Sequence, residues 1–450
     1  MSEKFSWRTP EELQRRAVKV GVKLPLSQDT SVCGKPLAFG SITLPNRLGI
    51  APMEGADALD DGSPSDFTVR RYVREAQGGA AVIWFEAISV VPEGRSSKTQ
   101  LLITKDNLES FKRMTDAVKQ AGIMANGFAP YLICQANHSG RYSNPDNKPA
   151  PLIAFRSPYL EQFRAADDSC IVSDDYLEKL EERFGEGAKL AKEAGFDAVD
   201  IKSCHGYLFA EVAAAFTRPG KYGGSYENRT RLLKNSIRAA KVYESDSFQI
   251  VSRIGIYDGY PYPYGFGMRE DKSLLPDYSE PKRLVQELYS DLGLRMICVT
   301  MGNPYVTTHV TRPFDKGKYD PPECQLVGIG RMIDGTREIK KWVPGMTILA
   351  SAPTYLRQFS DLYTAGAIEQ GYCDGMLFGR MAFANPGFAN QIVRTGRIDA
   401  SKVCMTCGAC GDLIRSHKPT GCVVRDAETY MPFYREFLKE KSSLPKNFRG

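Results

Sequence analysis

Eight short apolar runs, alternating with stretches of helical periodicity, constrain most strongly what this chain can fold into. They cover residues 47–53, 80–86, 123–134, 198–203, 249–254, 296–301, 346–351 and 375–379. A strand buried on both faces reads as a continuous apolar run, and such strands occur in parallel sheets flanked by helices. Helical patterns fall between them, at 66–77, 108–121, 227–243, 280–292 and 354–364. The clearest follows Ser173, an N-cap trailed by Asp174 and Asp175, which suit the positive end of a helix dipole. Its apolar residues Leu177, Leu180, Phe184, Ala188 and Ala191 recur at helical spacing, and Gly195 ends it. This alternation predicts a (β/α)8 TIM barrel, of class α/β. A doubly wound sheet is the rival, but no G-x-G-x-x-G follows a strand. The nearest string, Gly328-Ile329-Gly330, lacks the third glycine in register.

At 450 residues the chain accommodates one such barrel with appendages. We expect an N-terminal helical extension over 1–35, starting near Thr9-Pro10-Glu11-Glu12, a barrel over 36–398 and a C-terminal segment over 399–450. The best apolar run stops at Glu86, too short to span a membrane. Residues 1–21 are charged throughout, with no signal-peptide core. Eleven cysteines without such a signal point to a reducing, cytoplasmic setting. The formal charge of +6 is interleaved with acids and forms no nucleic-acid stripe.

Four of those cysteines, Cys404, Cys407, Cys410 and Cys422, read C-x2-C-x2-C-x11-C. A [4Fe–4S] cluster needs one thiolate at each of separate corners, which this spacing supplies. Structural zinc usually shows two separated C-x2-C pairs, and zinc stays open as the alternative. His417 lies within the same segment and is expected to be exposed. A cluster implies single-electron traffic and a second redox centre to receive it.

In a barrel, chemistry gathers where strands end and loops begin. Those ends read Ala51-Pro52-Met53-Glu54, then Gln135, then His138-Ser139-Gly140-Arg141-Tyr142, then Lys202-Ser203-Cys204-His205-Gly206-Tyr207. Arg218 and Tyr222-Gly223-Gly224-Ser225 follow, then Glu227-Asn228-Arg229, Arg253 and Gly379-Arg380. In this order, over 44–388, they resemble the old yellow enzyme family of FMN-dependent ene-reductases. With the cysteines, the chain is similar to that family's iron–sulfur branch, which includes 2,4-dienoyl-CoA reductase and trimethylamine dehydrogenase. The resemblance implies that Pro52, Met53, Glu54 and Ala87 flank the flavin ring and that Gln135 meets its pyrimidine edge. It places Arg253 beside the anionic reduced ring, and Ser351, Ala352, Gly379 and Arg380 at the phosphate. Barrels commonly bind phosphate on the loops after strands seven and eight, which agrees.

The resemblance also makes Tyr207 the proton donor to an activated C=C bond, with hydride arriving from flavin N5. Lys202 and His205 occupy the substrate-clamping positions, commonly filled by His with His or Asn. Lys202 therefore departs from the pattern, as does Glu54, whose position is often Thr or Cys. A Glu54–Lys202 pair would reconcile the two; Lys202 paired to Glu54 or Glu86 as a structural residue is the plainer reading. Tyr305 and His309, on the loop 302–313, are candidate substrate contacts. The longer relatives continue into FAD- and NAD-binding domains, for which no room follows Cys422. Electrons would then come from NAD(P)H directly or through a separate flavoprotein or ferredoxin, to a small alkene in a chain able to form homo-oligomers. Two alternatives stay open: an amine-type dehydrogenase running electrons outward, and a non-catalytic electron-transfer or scaffold subunit.

Overall fold

A computed structural model describes residues 4–271, 273–317 and 319–443. A small hairpin, β1 (Leu37–Phe39) and β2 (Ile42–Leu44), precedes the main sheet. Among the described residues, a closed parallel barrel then forms from β3 (Leu48–Ile50), β4 (Val82–Ser89), β5 (Tyr131–Asn137), β6 (Ala198–Ile201), β7 (Gln249–Gly255), β8 (Met296–Thr300), β9 (Thr347–Ser351) and β10 (Gly375–Phe378). β10 pairs with β3 through Met376 and Leu48 and closes the ring. Leu37, Phe39 and Leu44 pack against Val82, Tyr131 and Met296, residues at the N-terminal ends of their strands. The hairpin thus stoppers that end and leaves the C-terminal mouth for chemistry.

The helices lie outside: α1 (Pro10–Lys19), α2 (Asp66–Gln77), α3 (Leu108–Asn126), α4 (Asp174–Glu193), α5 (Leu208–Ala213), α6 (Tyr226–Lys241), α7 (Ser279–Ser290), α8 (Thr308–Thr311), α9 (Gln325–Trp342), α10 (Ser360–Glu369), α11 (Arg380–Ala384) and α12 (Phe388–Thr395). The expected caps are formed. Thr9 Oγ1 accepts from Glu12 N at 3.2 Å, and Ser173 Oγ accepts from Tyr176 N at 3.1 Å.

Several expectations are corrected. Residues 123–126 continue α3 rather than opening a strand, because the helix runs on to Gly127, which caps it at φ 79°. Gly328-Ile329-Gly330 lies inside α9, a helix the sequence reading missed. Its glycines look like helix breakers but serve close packing. A Cβ on Gly330 would stand 2.7 Å from Val22, and one on Gly335 would stand 2.2 Å from Met301. The segment expected at 354–364 begins as a 3-10 turn, Pro353–Phe359, before α10.

The cysteine segment folds as α13 (Ala409–Arg415) and α14 (Ala427–Ser443) and is fastened to the barrel. Asp426 accepts from Arg70 of α2 at 2.8 Å and also pairs with Arg74. Thr420 N donates to Gly55 O at 2.7 Å, one residue beyond Glu54. His417, expected exposed, is half-buried, with its Nε2 3.4 Å from Asn144 Nδ2. No helix of the described residues is long and apolar enough to cross a membrane.

Candidate active site

Glu54, Lys202, Tyr207 and Tyr305 come from three strand-end segments, after β3, β6 and β8, and converge at the barrel mouth. The convergence needs a sharp turn after β6. His205 and Gly206 both take left-handed backbone, at φ 67° and 68°. Gly206 is required there, since a Cβ would stand 2.0 Å from Asn303 Nδ2. The turn releases Tyr207 as the N-cap of α5 and points its ring into the mouth.

Tyr207 Oη lies 3.2 Å from Glu54 Oε1, to which it donates, and 2.9 Å from Tyr305 Oη. Lys202 Nζ sits 3.8 Å from the Tyr207 ring centroid, a cation–π contact worth about 2 kcal/mol when desolvated. The direct Glu54–Lys202 pair is not formed: Glu54 accepts instead from Tyr207, from Ser96 Oγ at 3.4 Å and from Gln100 Nε2 at 3.5 Å. Pairing of Lys202 with Glu86 is likewise not found. Glu86 accepts from Arg71 Nη2 at 2.7 Å, Gly55 N at 2.9 Å and Tyr72 Oη at 3.1 Å.

Burial sets the protonation of this group. It raises the Glu54 carboxyl above the usual range, against the attraction of Lys202 and the hydrogen bond from Tyr207. It lowers Lys202 to about 8, opposed by Cys204, Glu54 and Asp200 and assisted by Arg253. The Tyr207 phenol is driven well up, by burial first and then by Glu54. His205, held well below its ordinary value by burial and by Arg253, Lys202 and Arg312, is neutral, with Nε2 3.3 Å from Thr300 Oγ1.

Below this group lie Gln135 and Arg253. Gln135 Nε2 donates to Asp200 Oδ2 at 2.7 Å; Trp84 Nε1 donates to the same oxygen at 2.8 Å, and Arg253 N to Oδ1 at 2.7 Å. The Arg253 guanidinium is buried, and its Nε has no hydrogen-bond partner. The Ala87 carbonyl accepts from Gln100 at 3.1 Å, so Gln100 links the Ala87 and Glu54 positions. Pro52 and Met53 are half-buried at the end of β3.

At the ends of β9 and β10, Ser351 Oγ donates to Val299 O at 2.9 Å, and Ala352 turns left-handed at φ 68°. Met53 approaches Gly379 closely, its Sδ 3.1 Å from where a Cβ would stand. Arg380 Nη2 donates to Pro313 O at 2.6 Å, while its Nη1 is buried without a partner. Arg380 also lines a small cavity together with Cys404, Cys407, Cys410 and Cys422. Thr406 N donates to Cys404 Sγ at 3.4 Å and Arg425 N to Cys422 Sγ at 3.3 Å. Among the described residues, no three His, Cys, Asp or Glu side chains stand as a set that could hold a metal ion.

His309 is not brought to Tyr207. Its Nδ1 lies 2.8 Å from Tyr319 Oη, and its Nε2 faces Glu323. Sequence reasoning gave no role to Ser96, Gln100, Asp200 and Trp84, which fix Glu54 and Gln135. It also passed over Arg312, whose guanidinium is lowered to about 10 by burial and by neighbouring Arg380. Only its position on a strand-end loop could have singled it out.

The sequence profile of the NADH:flavin oxidoreductase / NADH oxidase family matches residues 34–266. The NADPH dehydrogenase of Bacillus pumilus (strain SAFR-032) is 33% identical over 223 residues, 48% of this chain and 62% of that protein. The 4,4'-dithiodibutanoate disulfide reductase of Rhodococcus erythropolis is 26% identical over 419 residues, 87% of this chain and 95% of that protein. A 2-naphthoyl-CoA reductase, solved with 2-naphthoyl-CoA, shares the fold with a TM-score of 0.73 at 18% identity, covering 92% of this chain and 59% of that one. The match to the Bacillus protein therefore spans less than two thirds of that protein's length.

Proposed function

This chain belongs to the NADH:flavin oxidoreductase / NADH oxidase family, and from that premise we propose that it is an FMN-dependent ene-reductase that also carries a [4Fe–4S] cluster. Its substrate is a small molecule with an activated C=C bond: an enone, an enoate or an enoyl-CoA. One observation carries the reading. Tyr207, a buried phenol at the barrel mouth, is hydrogen-bonded to a carboxyl group and a second phenol and covered by an ammonium. A phenol is a weak acid and gives up its proton only as negative charge builds on carbon, which suits the protonation half of alkene reduction. Lys202 and neutral His205 are donors for the oxygen on which the remaining charge develops. Tyr305, 42% exposed and hydrogen-bonded to Tyr207, would touch substrate.

The residues present fit FMN. Arg253 Nε and Arg380 Nη1 are buried donors without partners, a condition that calls for an anionic acceptor. Arg253 and Gln135 would hold the ring from the barrel side, with the backbone of Pro52, Met53 and Ala87 along its edges. Ala352, Gly379 and Arg380 would hold the phosphate; Ser351 Oγ, already bound to Val299, would contribute its backbone. The flavin, when bound, supplies hydride, with electrons from NAD(P)H or an external carrier.

The cysteine segment fits a cluster by its donor set: four thiols on one cavity, two of them receiving backbone N–H groups. Such N–H···S bonds are among the means by which a protein sets a cluster's potential. In this reading 36–398 is the flavin barrel, 399–450 the cluster segment and 1–35 an outer extension, with a separate flavoprotein or ferredoxin as electron carrier. The test is the absorbance spectrum and metal content of anaerobically purified protein. A flavin band over broad iron–sulfur absorbance, with about four irons per chain, is expected. A colourless protein that takes up zinc and no FMN would overturn the reading.

A further inference from the structure

We propose that Glu54 is a second acid of the reaction, which returns a proton to Tyr207 as Tyr207 protonates the substrate. The inference rests on Tyr207 being the proton donor. Three observations support it. Tyr207 Oη donates to Glu54 Oε1 at 3.2 Å, a contact along which a proton can return once the phenol has given up its own. The carboxyl is steered toward that oxygen by Ser96 Oγ at 3.4 Å and Gln100 Nε2 at 3.5 Å, and Gln100 is itself anchored on the Ala87 carbonyl. Burial favours the neutral acid, the form that has a proton to give.

The step balances as follows. Bound reduced FMN would supply hydride to one substrate carbon, and with it the two electrons that the C=C bond gains. The other carbon takes the Tyr207 Oη proton: a C–H bond forms and the phenol O–H bond breaks. The Glu54 carboxyl proton moves to Tyr207 Oη, so no free phenolate is left in the buried site. Glu54 ends as a carboxylate near the Lys202 ammonium and regains its proton from water before the next turnover. The groups facing Glu54 are Tyr207, Lys202 and Tyr305, with Ser96 and Gln100 uncharged; Arg253, Cys204 and Asp200 stand behind Lys202. Tyr305, 2.9 Å from Tyr207 and half-exposed, is the competing source of the returning proton.

The test is anaerobic stopped-flow oxidation of the reduced holoenzyme by 2-cyclohexenone, across pH, for wild type and for Glu54→Gln, Glu54→Asp, Tyr305→Phe and Tyr207→Phe. Glu54→Gln keeps the shape and removes the acid. It is expected to slow the step at least tenfold, within the range that general acids contribute, while reduction by NADPH stays fast. The wild-type rate should fall as pH rises through the Glu54 carboxyl; Glu54→Gln should lose that limb and Glu54→Asp should restore it. Wild-type rates in H2O/D2O mixtures should curve, as two moving protons require, which tests the idea even if Glu54→Gln fails to hold flavin. A linear dependence would overturn the inference, as would wild-type rates in Glu54→Gln with the slow step confined to Tyr305→Phe. If Tyr207→Phe is itself as fast as wild type, the underlying reading of Tyr207 fails instead.

Discussion

Lys202 Nζ stands over the Tyr207 ring, buried, with its pKa lowered from the ordinary 10.5 to about 8. Below pH 8 the amine is charged in both folded and unfolded chains, and the fold bears the full cost of burying that charge. Between pH 8 and 10.5 the folded state has released its proton while the unfolded state still holds one. The unfolded state then binds more protons, so wild-type stability rises with pH across that window. Lys202→Met should therefore stabilise flavin-free protein by about 1–3 kcal/mol at pH 7, and the gain should shrink toward pH 10, read from denaturant midpoints. A gain that does not change with pH across that window would mean that burial does not lower the amine's pKa in the folded protein. That Lys202, Tyr207 and Glu54 would converge was legible because all three sit at strand ends, which a barrel gathers at one mouth. Their partners were not: Ser96 and Gln100 reach Glu54 from the loop after β4, and only folding brings that loop to β3.

At the scale of elements, the run from Tyr222 to Arg229 carried the resemblance to a family, yet it touches none of the converging side chains. It builds the corner between α5 and α6. Ser225 caps α6, and Arg229 donates to Ala213 O at 2.6 Å and pairs with Glu280. Gly223 has no room for a side chain, since a Cβ would stand 2.1 Å from Arg218 O. Gly223→Ala should cost about 1–3 kcal/mol through overpacking, measured by chemical denaturation. Because α5 begins directly after Tyr207, the variant should also slow alkene reduction more than flavin reduction; unchanged stability would mean that the corner yields freely. The same logic explains what the sequence hid. The eight strands were readable because each carries a short run of buried apolar residues, whereas α9 was obscured by Gly328, Gly330 and Gly335, two of which are small because neighbouring elements press against them.

For the whole molecule, the barrel mouth and the cysteine segment form one continuous region. Arg380 belongs to both, at the end of β10 and on the wall of the cysteine cavity. The segment is held down where Asp426 meets Arg70 and Arg74 of α2, and its side chain is largely buried there. Asp426→Ala takes the shared carboxylate from both guanidiniums and should loosen the segment. On the cluster reading, a chelator should then bleach the iron–sulfur absorbance several-fold faster while the flavin band persists; an unchanged bleaching rate would make the clamp incidental. The position of this segment over the mouth was not legible from cysteine spacing, because contacts such as Thr420 to Gly55 join residues hundreds of positions apart. The central claim, that this barrel reduces activated alkenes through a flavin, is tested most directly by one measurement. Protein reduced anaerobically by light is mixed with 2-cyclohexenone, and the flavin band is followed. Its return, with one cyclohexanone formed per flavin, is the predicted result. A flavin that stays reduced before the enone, while its oxidised form bleaches on adding an amine, would contradict the account and make the enzyme a dehydrogenase.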